Sequence, residues 1–77
     1  MRTDLKITTE QVQGKTAMTI LHLAGWLDQK SEERFYQAAR DAYEQGARWL
    51  ILDMAEVDTL TSAGMRAITK VYKLFTP

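Results

Sequence analysis

The sequence predicts an α/β domain of order ββαβα, a mixed sheet with its helices packed on one face. Three observations lead there. Leu5–Val12 and Thr16–Ala24 read as two strands separated by the Gln13-Gly14-Lys15 turn. Phe35, Ala38, Ala39, Ala42 and Tyr43 recur at helical spacing. Trp49-Leu50-Ile51-Leu52 is a short apolar run, and a second helical pattern begins at Met65.

The first strand, LKITTEQV, places Leu5 and Ile7 in alternation with polar residues and carries two threonines, as expected of a strand with one wet face. The second divides into Met18, Ile20, His22 and Ala24 on one side and Thr19, Leu21 and Leu23 on the other. With apolar residues on both sides it belongs in the sheet interior, hairpin-paired with the first. Gly25-Trp26-Leu27-Asp28 closes it. Ser31 is the best N-cap for the helix that follows, because Glu32 and Glu33 place carboxylates at its positive end. Gly46 is expected to end that helix at C′.

The third strand is expected over Trp49–Met54 and covered on both faces, since an apolar run this short is typical of a parallel, buried strand. A helical crossover before it implies parallel pairing with the second strand. Asp53, Glu56 and Asp58 then mark an acidic connection pinned by Val57 and Leu60. In the last helix Met65, Ile68, Tyr72 and Phe75 form the expected core stripe, with Arg66, Lys70 and Lys73 solvated. Read as a membrane-surface or partner helix, this segment would place the same residues outward, but a helix covering a sheet needs such a stripe. The chain ends directly after this helix, where an α/β unit would supply another strand. Residues 1–77 therefore read as one domain truncated after its second helix, with an apolar third-strand edge that invites pairing with a second copy.

Composition narrows the function. Ten basic and ten acidic residues cancel, so nothing draws the chain to nucleic acid or an anionic membrane. Without cysteine there is no disulfide framework or thiolate site, consistent with a reducing cytoplasm. No apolar run approaches the length of a membrane span. The single histidine, His22, has no nucleophile partner and reads as a packing or partly exposed residue. Asp53, Glu56 and Asp58 lack the spacing of a calcium loop. Neither a metal nor any other cofactor is expected, and a metal-assisted phosphatase using Asp53 and Asp58 is the weakest of three functional readings.

Ser62, at the strand-to-helix junction, is the chemically suggestive position. Its hydroxyl can cap the helix, with Met65 standing where a capping box would want Glu or Gln. It can also be a phosphorylation site, since a phosphate at a helix N-terminus meets free N–H groups and the positive end of the dipole.

Thr61-Ser62-Ala63-Gly64-Met65 after the acidic stretch resembles the signature turn of STAS domains, especially bacterial anti-sigma-factor antagonists. Gly25-Trp26-Leu27-Asp28 is similar to that family's Gly-x-Leu-Asp, and Ser31 falls where the family caps its first helix. The resemblance implies a non-enzymatic, cytoplasmic bacterial regulator of transcription. Such a protein binds a kinase-type anti-sigma factor and is switched off when that serine kinase phosphorylates the turn, at Ser62 or, as a substitute, Thr61. It implies a partner-binding surface of Trp26, Asp28, Asp58, Thr61, Ser62, Ala63, Gly64, Met65 and Arg66. The chain departs from the family pattern at Thr61 (an Asp), Ala63 (a Ser or Thr) and Arg66 (a small residue). Those departures leave open a scaffold or transporter-associated STAS domain that binds a partner without phospho-switching.

Overall fold

A computed structural model of the chain describes residues 4–12, 14 and 17–76. In chain order the elements are β1 (Leu5–Val12), β2 (Met18–Leu27), α1 (Glu32–Glu44), β3 (Trp49–Leu60) and α2 (Ser62–Phe75). The predicted turn at Gln13 and Lys15, the strand start at Thr16 and the terminal Pro77 lie outside the described residues.

The sheet has the order β1-β2-β3, with β1 antiparallel and β3 parallel to the central β2. The expected ββαβα order and mixed sheet are both present. Burial alternates residue by residue along β2: Thr19, Leu21, Leu23 and Leu27 are buried, while Met18, Ile20, His22, Ala24 and Trp26 are half-buried. Both helices cover the first set. Leu5, Leu21, Leu23 and Leu27 meet Phe35 and Ala39 of α1 and Ala67 and Val71 of α2 in one core. A small domain depends heavily on such a cluster, since burying one large apolar side chain contributes about 1.5–3 kcal/mol.

Four expectations are corrected. First, β2 continues to Leu27 instead of ending at Ala24, so Trp26 lies within a strand, beside Thr59. Second, the acidic stretch is not a loop: β3 runs to Leu60. It contains an extra residue opposite His22–Ala24 and another opposite Gly25–Trp26, each a bulge that bends the strand without ending it. Glu56 and Asp58 are exposed there, so their charges meet no desolvation cost.

Third, β3 is covered on one face only. Leu50 and Leu52 pack on the core, whereas Trp49 is 61% and Ile51 45% exposed on the opposite face. Fourth, α2 is rotated relative to its largest side chains. Its buried stripe is Ala63, Gly64, Ala67 and Val71, while Met65 and Tyr72 are 59% and 67% exposed. Small residues let the helix axis approach α1 and the sheet closely, and the bulky ones are left outside that contact. Ile68 and Phe75 pack at the margin of the core.

The helix ends are well tied. After α1, Gly46 at φ +111 allows Gly46 N–H to donate to Tyr43 and Ala47 N–H to Ala42, a Schellman closure. Tyr43 meets Phe75 of α2 edge-on, with centroids 5.2 Å apart, and the Arg48 guanidinium lies 3.9 Å from the Tyr43 ring centre. These contacts join the C-terminal ends of the two helices.

Candidate functional site

The C-terminal ends of β2 and β3 lie side by side, Leu27 opposite Leu60, and each leads directly into its own connection. One residue, Thr61, separates β3 from α2. Its backbone is extended at φ −96 and ψ 175, and its hydroxyl accepts from Gly64 N–H at 3.3 Å. Thr61 is therefore the N-cap, not Ser62. A capping side chain needs extended backbone to reach the N–H groups of the first turn, and Ser62 is already helical.

Ser62 occupies the first helical position with its side chain exposed, and among the described residues no hydrogen bond holds its hydroxyl. Ala63 and Gly64 are buried behind it. Residue 64 has no room for a side chain: a β-carbon there would overlap the Leu27 carbonyl oxygen and stand 2.9 Å from Leu60 Cδ1. The same carbonyl accepts from Thr61 N–H at 3.1 Å. One oxygen at the end of β2 thus fixes where α2 begins.

Asp28 and Ser31 build the neighbouring wall. The Asp28 carboxylate accepts from the N–H groups of Lys30 and Ser31 at 3.1 and 3.2 Å. Ser31 stands at the N-cap position, but its hydroxyl makes no cap bond. It turns back instead, accepting from Asp28 N–H at 3.0 Å and donating to the Trp26 carbonyl at 2.9 Å. At 4% exposure this hydroxyl is a buried brace for the β2–α1 turn. Asp28, Lys30, Thr61, Ser62, Ala63 and Arg66 line a shallow open depression over the start of α2. The first turn of α2 contains no acidic residue, so the positive end of the helix dipole is not offset from within the helix. The one carboxylate lining the depression, that of Asp28, is bonded to the N–H groups of Lys30 and Ser31.

The remaining expected site residues are dispersed. Met65 is exposed on α2 outside the depression, and Asp58 is exposed on β3. Trp26 lies on the sheet face away from the helices, half-buried, and its buried indole N–H has no hydrogen-bond partner among the described residues. Leu27, not Trp26, meets the α2 start.

The phosphatase reading gains nothing. Asp53 and Asp58 are five residues apart on an extended strand, roughly 15 Å at the usual rise. Among the described residues no group of three possible ligands converges on a metal position. Asp53 is occupied otherwise: its carboxylate is 2.8 Å from His22 Nδ1, and His22 Nε2 is 2.7 Å from Glu10. A neutral imidazole has one N–H and can donate to one carboxylate; two acceptors call for the imidazolium. Accordingly His22 titrates above its ordinary 6.5, held there first by Glu10 and then by Asp53. Asp53 titrates below its ordinary 3.8, through His22 and the Ala55 N–H. This clamp across all three strands escaped the sequence reading. Glu10 stands opposite Ile20, and it reaches His22 only diagonally, which becomes visible once the hairpin register is known.

Comparison with known proteins adds the following. A family model described as STAS domain matches residues 7–76. The crystal structure of an anti-sigma factor antagonist from Mycobacterium paratuberculosis superposes with a TM-score of 0.82 at 18% sequence identity. The match covers 95% of the present chain and 60% of that one. At that identity the likeness is one of fold. No curated protein matches the sequence. Among the described residues no helix is long and apolar enough to cross a membrane.

Proposed function

The chain belongs to the STAS-domain family, and from that premise we propose that it is a non-enzymatic regulatory module of the cytoplasm that antagonises a kinase-type anti-sigma factor. In this reading the depression at the start of α2 docks on the anti-sigma factor and releases the sigma factor. Phosphorylation of Ser62 by that same kinase ends the interaction.

The observation that supports the switch best is the exposed, unbonded hydroxyl of Ser62 at the first position of α2, beside the half-buried cap Thr61. A phosphate there adds about −1.5 to −2 charges at pH 7. The helix N-terminus can hold that charge without unfolding, with Arg66 and Lys30 lining the same depression. A partner seated over Ser62 would then meet new charge and its hydration. Thr61 is the weaker target, because its hydroxyl is already committed to Gly64.

The test is incubation with the cognate kinase-type anti-sigma factor and ATP, followed by mass spectrometry and a binding measurement. Phosphate on Ser62, with binding abolished in its presence and retained by Ser62→Ala, is the expected result. Tight binding with Ser62 and Thr61 unmodified would instead support the second reading, a scaffold or transporter-associated domain. That reading draws on Thr61 and Arg66, which stand where the family carries an Asp and a small residue.

The open edge of β3 belongs to the same proposal. β3 is an edge strand, with Leu50, Leu52, Ile68, Tyr72 and Phe75 around the adjoining groove. A further strand and helix of the family would extend the sheet there, and pairing with a second copy is the alternative occupant. Sedimentation of residues 1–77 distinguishes a monomer from an edge-paired dimer.

A further inference from the structure

The sheet face away from the helices has two halves of different chemistry. Cross-strand pairing sets its side chains in rows. The first row is Val12, Met18 and Trp49, and the second is Glu10, Ile20 and Ile51. Then come Thr8, His22 and Asp53, followed by Lys6, Ala24 and Glu56. Val12, Met18, Ile20, Ile51 and Trp49 therefore make one continuous apolar patch at the end of the sheet opposite Ser62. Val12, Ile51 and Trp49 are 37%, 45% and 61% exposed.

Parallel strand pairs are ordinarily covered on both faces, and β2–β3 is a parallel pair with aliphatic side chains on its bare side. Aromatic residues and Met are also the types enriched where proteins bind one another. Around the patch the charge is predominantly acidic: Glu10 on the β1 flank and Asp53 and Glu56 on the β3 flank, against Lys6 and the clamped His22. The Glu10 and Asp53 carboxylates keep acceptor capacity beyond their bonds to His22. Ala24 leaves the row beyond His22 low along the centre of the sheet.

We propose that this face docks an amphipathic helix of a partner protein, apolar along one stripe and basic on its flanks. The apolar stripe covers Met18, Ile20, Ile51 and Trp49, and the flanking Lys or Arg side chains reach Glu10, Asp53 and Glu56. A second copy laid face to face would set carboxylates on both flanks against carboxylates. An anionic bilayer would be repelled by the same groups. The surface is separate from the α2 start, so its occupancy does not depend on Ser62.

The probe is a synthetic 18-residue helical peptide of Leu and Lys, titrated into isotopically labelled protein and followed by NMR at low salt. Saturable shifts of the Trp49 indole and of the Ile20 and Ile51 amides are expected. Affinity should fall at least tenfold in Ile51→Lys and several-fold in Glu10→Gln/Glu56→Gln, and stay unchanged in Tyr72→Ala on α2. Trp49→Ala, at a more exposed position, replaces Ile51→Lys if the latter fails to fold. The proposal is overturned by any of four results: no shifts at millimolar peptide, equal binding of a Leu/Glu peptide, self-association that Ile51→Lys abolishes, or uptake by phosphatidylglycerol vesicles.

Discussion

The Leu27 carbonyl oxygen and the Gly64 α-carbon approach so closely that no side chain fits at residue 64. A strand end and a helix start are thereby held at backbone distance. The obstruction is a main-chain oxygen that also accepts from Thr61, so it cannot step aside as a flexible side chain could.

Gly64→Ala should displace the start of α2 and lower stability by roughly 1–3 kcal/mol, the usual cost of forcing an extra methyl into a packed contact. Urea unfolding measures it. A midpoint equal to that of the unsubstituted protein would show that the helix can shift freely.

Thr61→Ala removes the hydroxyl that caps Gly64 N–H and should cost about 0.5–2 kcal/mol. Thr61→Asp restores a capping oxygen and adds a charge favoured at a helix N-terminus, so its thermal midpoint should equal or exceed that of the natural protein. Loss of stability in the Asp variant comparable to that in the Ala variant would contradict the capping role.

Ser31→Ala should cost about 1–3 kcal/mol, because the buried hydroxyl braces both the Asp28 N–H and the Trp26 carbonyl. If Ser31 were an ordinary exposed cap, Ser31→Asp would rescue the loss. Buried as it is, the Asp variant should be no better than Ala.

The Glu10–His22–Asp53 clamp gives stability a pH signature. His22 is held above 6.5, so its contribution is complete below about pH 6.5 and disappears as pH rises through its raised folded value. Asp53 is held below 3.8, so its contribution is present above about pH 4 and is lost as pH falls through its lowered value. The difference in melting temperature between the natural protein and His22→Gln should therefore be largest from about pH 4 to 6.5 and shrink by about pH 9. Equal differences at pH 5 and 9 would exclude an ionic clamp.

Much of this protein is determined by local sequence. Leu5–Val12 begins and ends where alternation and turn residues put it, and Gly46 closes α1 because only a residue free of a β-carbon takes φ +111 comfortably. The family is legible too, since Gly25–Asp28 and Thr61–Met65 are short contiguous motifs. Tertiary structure decided the rest. The acidic stretch reads as a loop by propensity, but pairing with β2 draws Ala55–Leu60 into the sheet through two bulges. Met65 and Tyr72 look like core by period, yet contact with α1 and the sheet selects the small side of α2. Thr61 takes the cap from Ser62 because Leu27, thirty-four residues earlier, fixes the last extended position of β3. Spacing along a chain specifies which residues share a face; which face is buried, and which hydroxyl is left free, depends on what another segment brings against it.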